Sequence, residues 1–251
     1  MQFQENIHRQ EKLKLISSKY LSYAIVSHCT LKCDGCGSKS ELSSTKASFI
    51  PVETFKADIE SAAKFMAVDE FIISGGEPLL HKSIIELIKI VKSSKIAKTV
   101  RMTTNGQLID RQPEEFWQNI DKIVLSLYPN TPVDNDYVNS YVAEKCRKYN
   151  VELELNTPSD FMRIYASLDD KRDTQKVYNE CKIAHEWGCH TLDRGRYYKC
   201  YGPIINKLEE DGVPIEETDV RNYLQSKTPL TSCYSCFGTS GPKIPHRQVT
   251  K

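Results

Sequence analysis

The 251 residues carry 34 lysines and arginines against 33 aspartates and glutamates, a formal net charge of +1. That balance supplies neither the basic excess of a nucleic-acid binder nor a polybasic membrane patch. Apolar residues at 39% and charged residues at 27% describe an ordinary globular chain, long enough for one domain or one domain with a small appendage. No apolar run reaches bilayer-spanning length, and the polar start from Met1 to Lys14 argues against a secretory signal. The nine cysteines then read as metal ligands or catalytic thiols of a reducing cytoplasm rather than as disulfides.

In chain order, Tyr23 to Val26 reads as a first strand and Pro51 to Met66 as a helix, with Pro51 near the first turn where its missing N–H costs little. Residues 70–74 form a second strand. Ser83 to Lys92 is an amphipathic helix with Ile84, Ile85, Leu87, Ile88 and Val91 facing inward. Strands near 98–103, 122–127 and 150–155 alternate with helices near 112–119 and 134–148. This βα repetition predicts a parallel sheet with right-handed crossovers and its chemistry at one rim. Five units read clearly and a sixth falls near Ile164, too few for an eight-unit barrel. From about residue 176 the periodicity fades and five cysteines follow, with Tyr197 and Tyr198 suggesting a short hairpin. The expected division is residues 1–175 and 176–251.

Cys29, Cys33 and Cys36 fall within eight residues. Soft thiolates at this spacing suit an iron–sulfur cluster or zinc, and three of them leave one iron of a four-iron cluster open. A closed zinc site wants a fourth ligand, and adjacent His28 could hardly reach around the same metal. Ser74-Gly75-Gly76-Glu77-Pro78 ends the second strand, Thr103-Thr104-Asn105-Gly106 the third, Ser126 the fourth and Asn156 the fifth. Together these stretches resemble the radical S-adenosylmethionine (SAM) superfamily. The resemblance implies an α/β partial (β/α)6 TIM-like barrel with a [4Fe–4S] cluster on Cys29, Cys33 and Cys36 and SAM on its open iron. It implies that Gly75, Gly76 and Glu77 meet the methionine ammonium, that Ser126 and Asn156 bond ribose or carboxylate, and that Thr104 and Asn105 line the same pocket. Reductive cleavage of SAM would give a 5′-deoxyadenosyl radical that abstracts hydrogen, with an electron donor such as flavodoxin or ferredoxin. One departure stands out. The position before the third cysteine is commonly aromatic in this superfamily and here is Gly35, so another apolar group is expected to cover the adenine.

The later cysteines resemble the twitch form of the SPASM domain, which implies an auxiliary [4Fe–4S] cluster on Cys181, Cys200, Cys233 and Cys236. A four-cysteine zinc site has the same ligand count. Cys189 is either the true ligand in place of Cys181, a packing residue, or a hydrogen-atom donor. A donor thiol would imply epimerisation; electron transfer to the second cluster would imply oxidation, as in cyclitol or aminosugar dehydrogenases. Cys146 reads as a small buried hydrophobe, and His28 and His190 as packing or hydrogen-bonding neighbours. Only about 20 residues precede the first strand, too few for a peptide-recognition domain. A small molecule is therefore expected as substrate: a sugar, cyclitol or nucleotide-linked sugar. A peptide maturase and a non-catalytic iron–sulfur or zinc scaffold are the alternatives.

Overall fold

The computed structural model describes residues 15–39, 48–129, 131–166 and 172–248; the polar start from Met1 to Lys14 lies outside them. Its centre is an eight-stranded sheet in the order β5-β4-β3-β2-β1-β7-β8-β9. Strands β1 (Ile16–Ala24), β2 (Met66–Ser74), β3 (Ala97–Thr104), β4 (Lys122–Ser126) and β5 (Glu152–Asn156) are all parallel. Helices α1 (Val52–Ala63), α2 (Ile84–Ser94) and α3 (Glu114–Asn119) fill the crossovers between the first four strands. The connection from β4 to β5 is α4, which starts at Asn135–Tyr137, passes through a π-helical stretch at Val138–Val142 and ends at Ala143–Tyr149. This is the expected α/β architecture, a mostly parallel sheet of the partial TIM-barrel kind.

Alternation along the strands decides which face the helices cover. Leu21 and Tyr23 of β1 and Phe71 and Ile73 of β2 are fully buried, and Tyr23, Phe55 of α1 and Phe71 form a run of ring contacts at 4.9 and 6.1 Å. Helix α2 buries Ile84, Leu87, Ile88 and Val91, the expected stripe with Ile85 only partly covered. Each such side chain stabilises the fold by roughly 1.5–3 kcal/mol. The opposite, concave face is polar at its base. There Glu70 of β2 pairs with Arg101 of β3 at 3.0 Å and with Lys122 of β4 at 3.3 Å, and Lys122 also reaches Glu154 of β5 at 3.0 Å.

Two expectations need correcting. Met66 begins β2 rather than ending α1, because α1 stops at Ala63 and the chain turns immediately into the sheet. The stretch near Ile164 makes no sixth barrel unit. Its strand β6 (Asp160–Met162) leaves the sheet and pairs antiparallel with β10 (Lys243–Pro245). A sixth parallel strand does exist, but it is β7 (Cys189–Asp193), which docks on the open edge of β1 with Tyr20 opposite Cys189. It is preceded by the short helices α5 (Thr174–Asn179) and α6 (Lys182–His185).

Strand β7 turns back through Arg194 and Gly195 into β8 (Arg196–Tyr198), giving the expected hairpin. Both turn residues have positive φ, 42° and 81°, as a two-residue turn of matching twist requires. Buried Asp58 of α1 anchors this turn. It accepts from the Gly195 N–H at 2.9 Å and from the Tyr23 hydroxyl at 2.7 Å, while the Arg194 N–H donates to that hydroxyl. Two short helices, α7 (Gly202–Asn206) and α8 (Glu217–Gln225), lie on either side of β9 (Val213–Pro214). The division at 175/176 falls inside α5, and the C-terminal part continues the barrel's own sheet.

Candidate active site

The register brings the strand ends to one rim. Ala24 pairs with Ser74, Thr104 with Leu125 and Ser126 with Asn156. The loop after β1 carries Cys29, Cys33 and Cys36 across this rim, and the loop after β2 holds it there. The N–H of Gly76 donates to Val26 O, and the N–H of Glu77 to His28 O, both at 2.8 Å. A Cβ on Gly76 would collide with the carbonyl of His28, and Gly75, at φ 143°, would collide with Val26. The paired glycines are therefore required by the chain's own cysteine loop, whose backbone lies against theirs.

Glu77 is fully buried and turned inward. Its carboxylate accepts from the Thr104 hydroxyl at 2.6 Å, the Asn105 N–H at 2.9 Å and the Leu79 N–H at 3.1 Å. Burial pushes its pKa up while these three donors pull it down. Thr104 is spent on the same knot, since its hydroxyl also accepts from the Gly106 N–H. Both residues thus brace the rim from behind rather than lining an open pocket. Asn105 faces forward. Its Nδ2 donates to Thr30 Oγ1 at 2.9 Å and approaches Cys29 Sγ at 3.6 Å, and the Leu31 N–H approaches the same sulfur at 3.4 Å. Ser126 is buried and Asn156 exposed at the last rim positions.

Burial raises the Cys29 thiol, with Glu77 and Cys36 adding to it and the Leu31 and Asn105 donors opposing. The Tyr128 hydroxyl is pushed up by burial, a hydrogen bond with Ser126 opposes this, and Cys33, Cys36 and Cys29, all within electrostatic reach, add to it. Tyr128, two residues beyond Ser126, is a site residue that strand-end reasoning missed. Gly35, at φ 72°, has its open side filled: a Cβ there would collide with Ile244 Cδ1 and lie 4.0 Å from Phe161. Both side chains belong to the β6–β10 pair, which packs against Gly35.

The later cysteines sort themselves. Cys200 and Cys233, both raised by burial and Cys233 to about 12, lie within electrostatic reach of Cys181 and Cys236; Cys236 in turn faces Cys181 and accepts from the Gly238 N–H at 3.2 Å. These four form one group. Cys189 lies at the start of β7, its thiol raised by burial, with Arg101 and then Cys181 as its next charged neighbours. It lies four residues down the strand from the rim, or about 13 Å. Among the described residues no three of His, Cys, Asp or Glu converge on a single metal ion; a cluster distributes its thiolates over separate irons and asks for no such convergence. Cys146 is buried in α4, away from both sets. His190 is buried with its ring stacked on Tyr197 at 5.4 Å. Lys199, also missed from sequence, is buried beside Cys200 and Cys233, and its ammonium donates to the Tyr178 hydroxyl at 2.7 Å and to Ser226 O at 2.8 Å.

A cleft of about 830 Å³ opens where the end of β1 and the β7–β8 turn meet α7. Ser38 and Lys39 line it from just after Cys36, and Tyr201 from just after Cys200. Four cations, Lys39, Arg194, Arg196 and Lys207, face two carboxylates, Asp193 and Glu209, around its wall.

The radical SAM superfamily profile matches residues 23–157, more than half of the chain. The chain belongs to the radical SAM superfamily. As such it is an enzyme that uses a [4Fe–4S] cluster and S-adenosylmethionine, and the donor set at Cys29, Cys33 and Cys36 suits that cluster. Its sequence is 30% identical over 225 residues to a probable GTP 3′,8-cyclase of Methanocaldococcus jannaschii, covering 82% of this chain and 70% of that protein. It is 35% identical over 115 residues to the GTP 3′,8-cyclase of Chlorobaculum tepidum, covering 43% and 32%. The chain thus spans about a third of the latter relative's length. In fold, this radical SAM protein is similar to BtrN in complex with AdoMet and 2-DOIA, at a TM-score of 0.55 and 14% identity over 89% of this chain and 88% of that one. The AdoMet-bound anSMEcpe has the same score and identity over 87% and 82%. Among the described residues no helix is long and apolar enough to cross a membrane.

Proposed function

We propose that the protein is a radical SAM oxidoreductase that oxidises a carbon of a small anionic substrate, a nucleotide-linked or phosphorylated sugar or cyclitol. In this reading Cys29, Cys33 and Cys36 hold the SAM-binding [4Fe–4S] cluster, and Cys181, Cys200, Cys233 and Cys236 hold an auxiliary one. With both bound, the first cluster and SAM supply a 5′-deoxyadenosyl radical that takes a hydrogen atom from the substrate. The chain's own work is positioning. Asn105 and the Leu31 N–H orient Cys29, the Gly75–Gly76 backbone offers carbonyls to the methionine ammonium, and Ser126 and Asn156 offer polar groups to the ribose. Glu77 and Thr104 hold that rim rigid from behind. Lys39, Arg194, Arg196 and Lys207 attract the anionic end of the substrate into the cleft that they line.

What supports oxidation in this reading is that Cys200 and Cys233 lie within electrostatic reach of both Cys181 and Cys236, a set of four thiols rather than three. Four thiolates saturate a cluster and leave no iron for the substrate, so its role is to receive an electron. Cys189, far down the barrel, leaves epimerisation without its thiol. A second reading, internal cyclisation of a nucleotide, is favoured by the names of the relatives. The experiment is anaerobic reconstitution with SAM, reduced flavodoxin or ferredoxin, and a panel of sugar phosphates, nucleotide sugars and GTP, read by mass spectrometry. A product two hydrogens lighter supports oxidation. An isomer of GTP replaces it with cyclisation, and zinc without SAM cleavage replaces both with a scaffold.

A further inference from the structure

The C-terminal segment after β10 lies along the cysteine loop residue by residue. Ile244 sits on Gly35. His246 stacks on Tyr128 at 4.8 Å and meets Phe161 edge-on at 5.1 Å. The Arg247 carbonyl accepts from the Asp34 N–H at 3.0 Å, and its guanidinium pairs with the Asp34 carboxylate at 2.6 Å. Gln248 then bridges to Cys33 as an antiparallel partner. Its Oε1 accepts from the Lys32 N–H at 2.9 Å and its Nε2 donates to Cys33 Sγ at 3.1 Å. That orientation of the amide is dictated chemically: turned over, it would set an NH2 against an N–H and a carbonyl oxygen against a thiolate.

We infer that Gln248 is a positioning residue that sets the reduction potential of the SAM-binding cluster through its hydrogen bond to the Cys33 sulfur, with residues 243–248 as the strap that holds it there. The inference rests on Cys33 as a ligand of that cluster. Adding an electron increases the negative charge on the cluster sulfurs, so a donor aimed at one of them favours the reduced form. The seat of Ile244 on Gly35, where a Cβ would collide with its Cδ1, keeps the strap in register. The atypical glycine and the distant glutamine are thus two halves of one arrangement.

The test is the midpoint potential of the SAM-binding cluster in the reconstituted full-length protein, followed by EPR and recognised by the change in its signal when SAM is added. In Gln248→Met the amide is lost but the side-chain length is kept. Reduction of this cluster should become about tenfold less favourable, a negative shift of about 59 mV for one electron. Arg247→Leu removes a solvent-exposed ion pair of small worth and should leave the midpoint unchanged. A second readout needs no variant: unmutated protein with side-chain 15N-glutamine should show a 15N coupling on the SAM-sensitive signal. An unshifted midpoint in Gln248→Met, an equal shift in Arg247→Leu, or no 15N coupling overturns the inference. A Cys33→Ala protein that keeps the SAM-sensitive signal would instead remove the ligand assignment on which it rests.

Discussion

The Tyr165 hydroxyl donates to the carbonyl of Gly37 at 2.6 Å, while the Tyr165 backbone bridges to Cys236. One residue thereby ties the loop of the first three cysteines to the loop of the last two. Its hydroxyl is pushed well above the ordinary tyrosine range, by burial first and then by Tyr201, Cys236, Cys200 and Cys36. Tyr165→Phe removes one hydrogen bond, worth about 1 kcal/mol of stability. If the tyrosine keeps the two loops at working distance, the ratio of 5′-deoxyadenosine released to product formed should rise several-fold in this variant. An unchanged ratio would make Tyr165 a purely structural tie.

The assignment of the two cysteine groups is tested by iron content. The unmutated chain is expected to take up about eight irons, and replacing Cys29, Cys33 and Cys36 by alanine should leave about four, with SAM cleavage abolished. Replacing Cys233 and Cys236 should also leave about four, with SAM cleavage retained and product lost. Cys189→Ala should keep about eight irons and full turnover, and the unmutated enzyme in deuterated water should form no epimer carrying solvent deuterium on carbon. Loss of a cluster in that last variant would restore Cys189 as a ligand.

At Gly35 the geometry predicts a rescue. Gly35→Ala puts a side chain at positive φ, which costs about 1–2 kcal/mol, and drives it into Ile244, for a total near 3 kcal/mol by urea denaturation. Ile244→Ala opens that space, so the double variant should be less destabilised than the two single costs added together. Simple additivity would show that the strap does not seat on Gly35.

A pH dependence follows from His190. Burial, with a smaller contribution from Lys199, lowers its pKa to about 4, so between the unfolded value near 6.5 and about 4 the unfolded chain binds the extra proton. Stability must therefore fall as the pH is lowered through that window, by up to about 3 kcal/mol from this residue alone. The carboxyls of buried Glu77 and Asp58 and of half-buried Asp193 are raised and act in the opposite sense. The measurement is consequently the difference between the unmutated protein and His190→Gln in urea at pH 7 and pH 4.5. A pH-independent difference would mean that His190 does not stay neutral in the folded state.

Much of the barrel was legible because its signal is local. Runs such as Phe71-Ile72-Ile73 and the stripe Ile84, Leu87, Ile88, Val91 announce their elements within a dozen residues. The first half of β1, Ile16 to Tyr20, was not, because its alternation is masked by two serines and a lysine. Strand β6 misled for a different reason: its partner, Lys243–Pro245, lies some 80 residues further on, and no window of sequence contains both. The site divided along the same line. Cys29, Gly75, Glu77 and Asn105 were identifiable by type and order. That Glu77 would turn inward was not, since this depends on which donors surround its carboxylate. Tyr128, Tyr165, Lys199 and Gln248 matter through contacts that only folding brings about.

The docking of β7 on β1 also has a consequence for the order in which the protein comes into being. Tyr20 and Cys189 are neighbours across 169 residues of chain, which a ribosome working at roughly 5–20 residues per second crosses in about 8–34 s. For that interval β1 presents an unpaired edge, the kind of surface that invites pairing with another chain. Gln248, 215 residues beyond Cys33, reaches it later still. The cysteine loop therefore waits for its strap long after it has itself been made, and premature cluster loading would have to be tolerated or prevented until then.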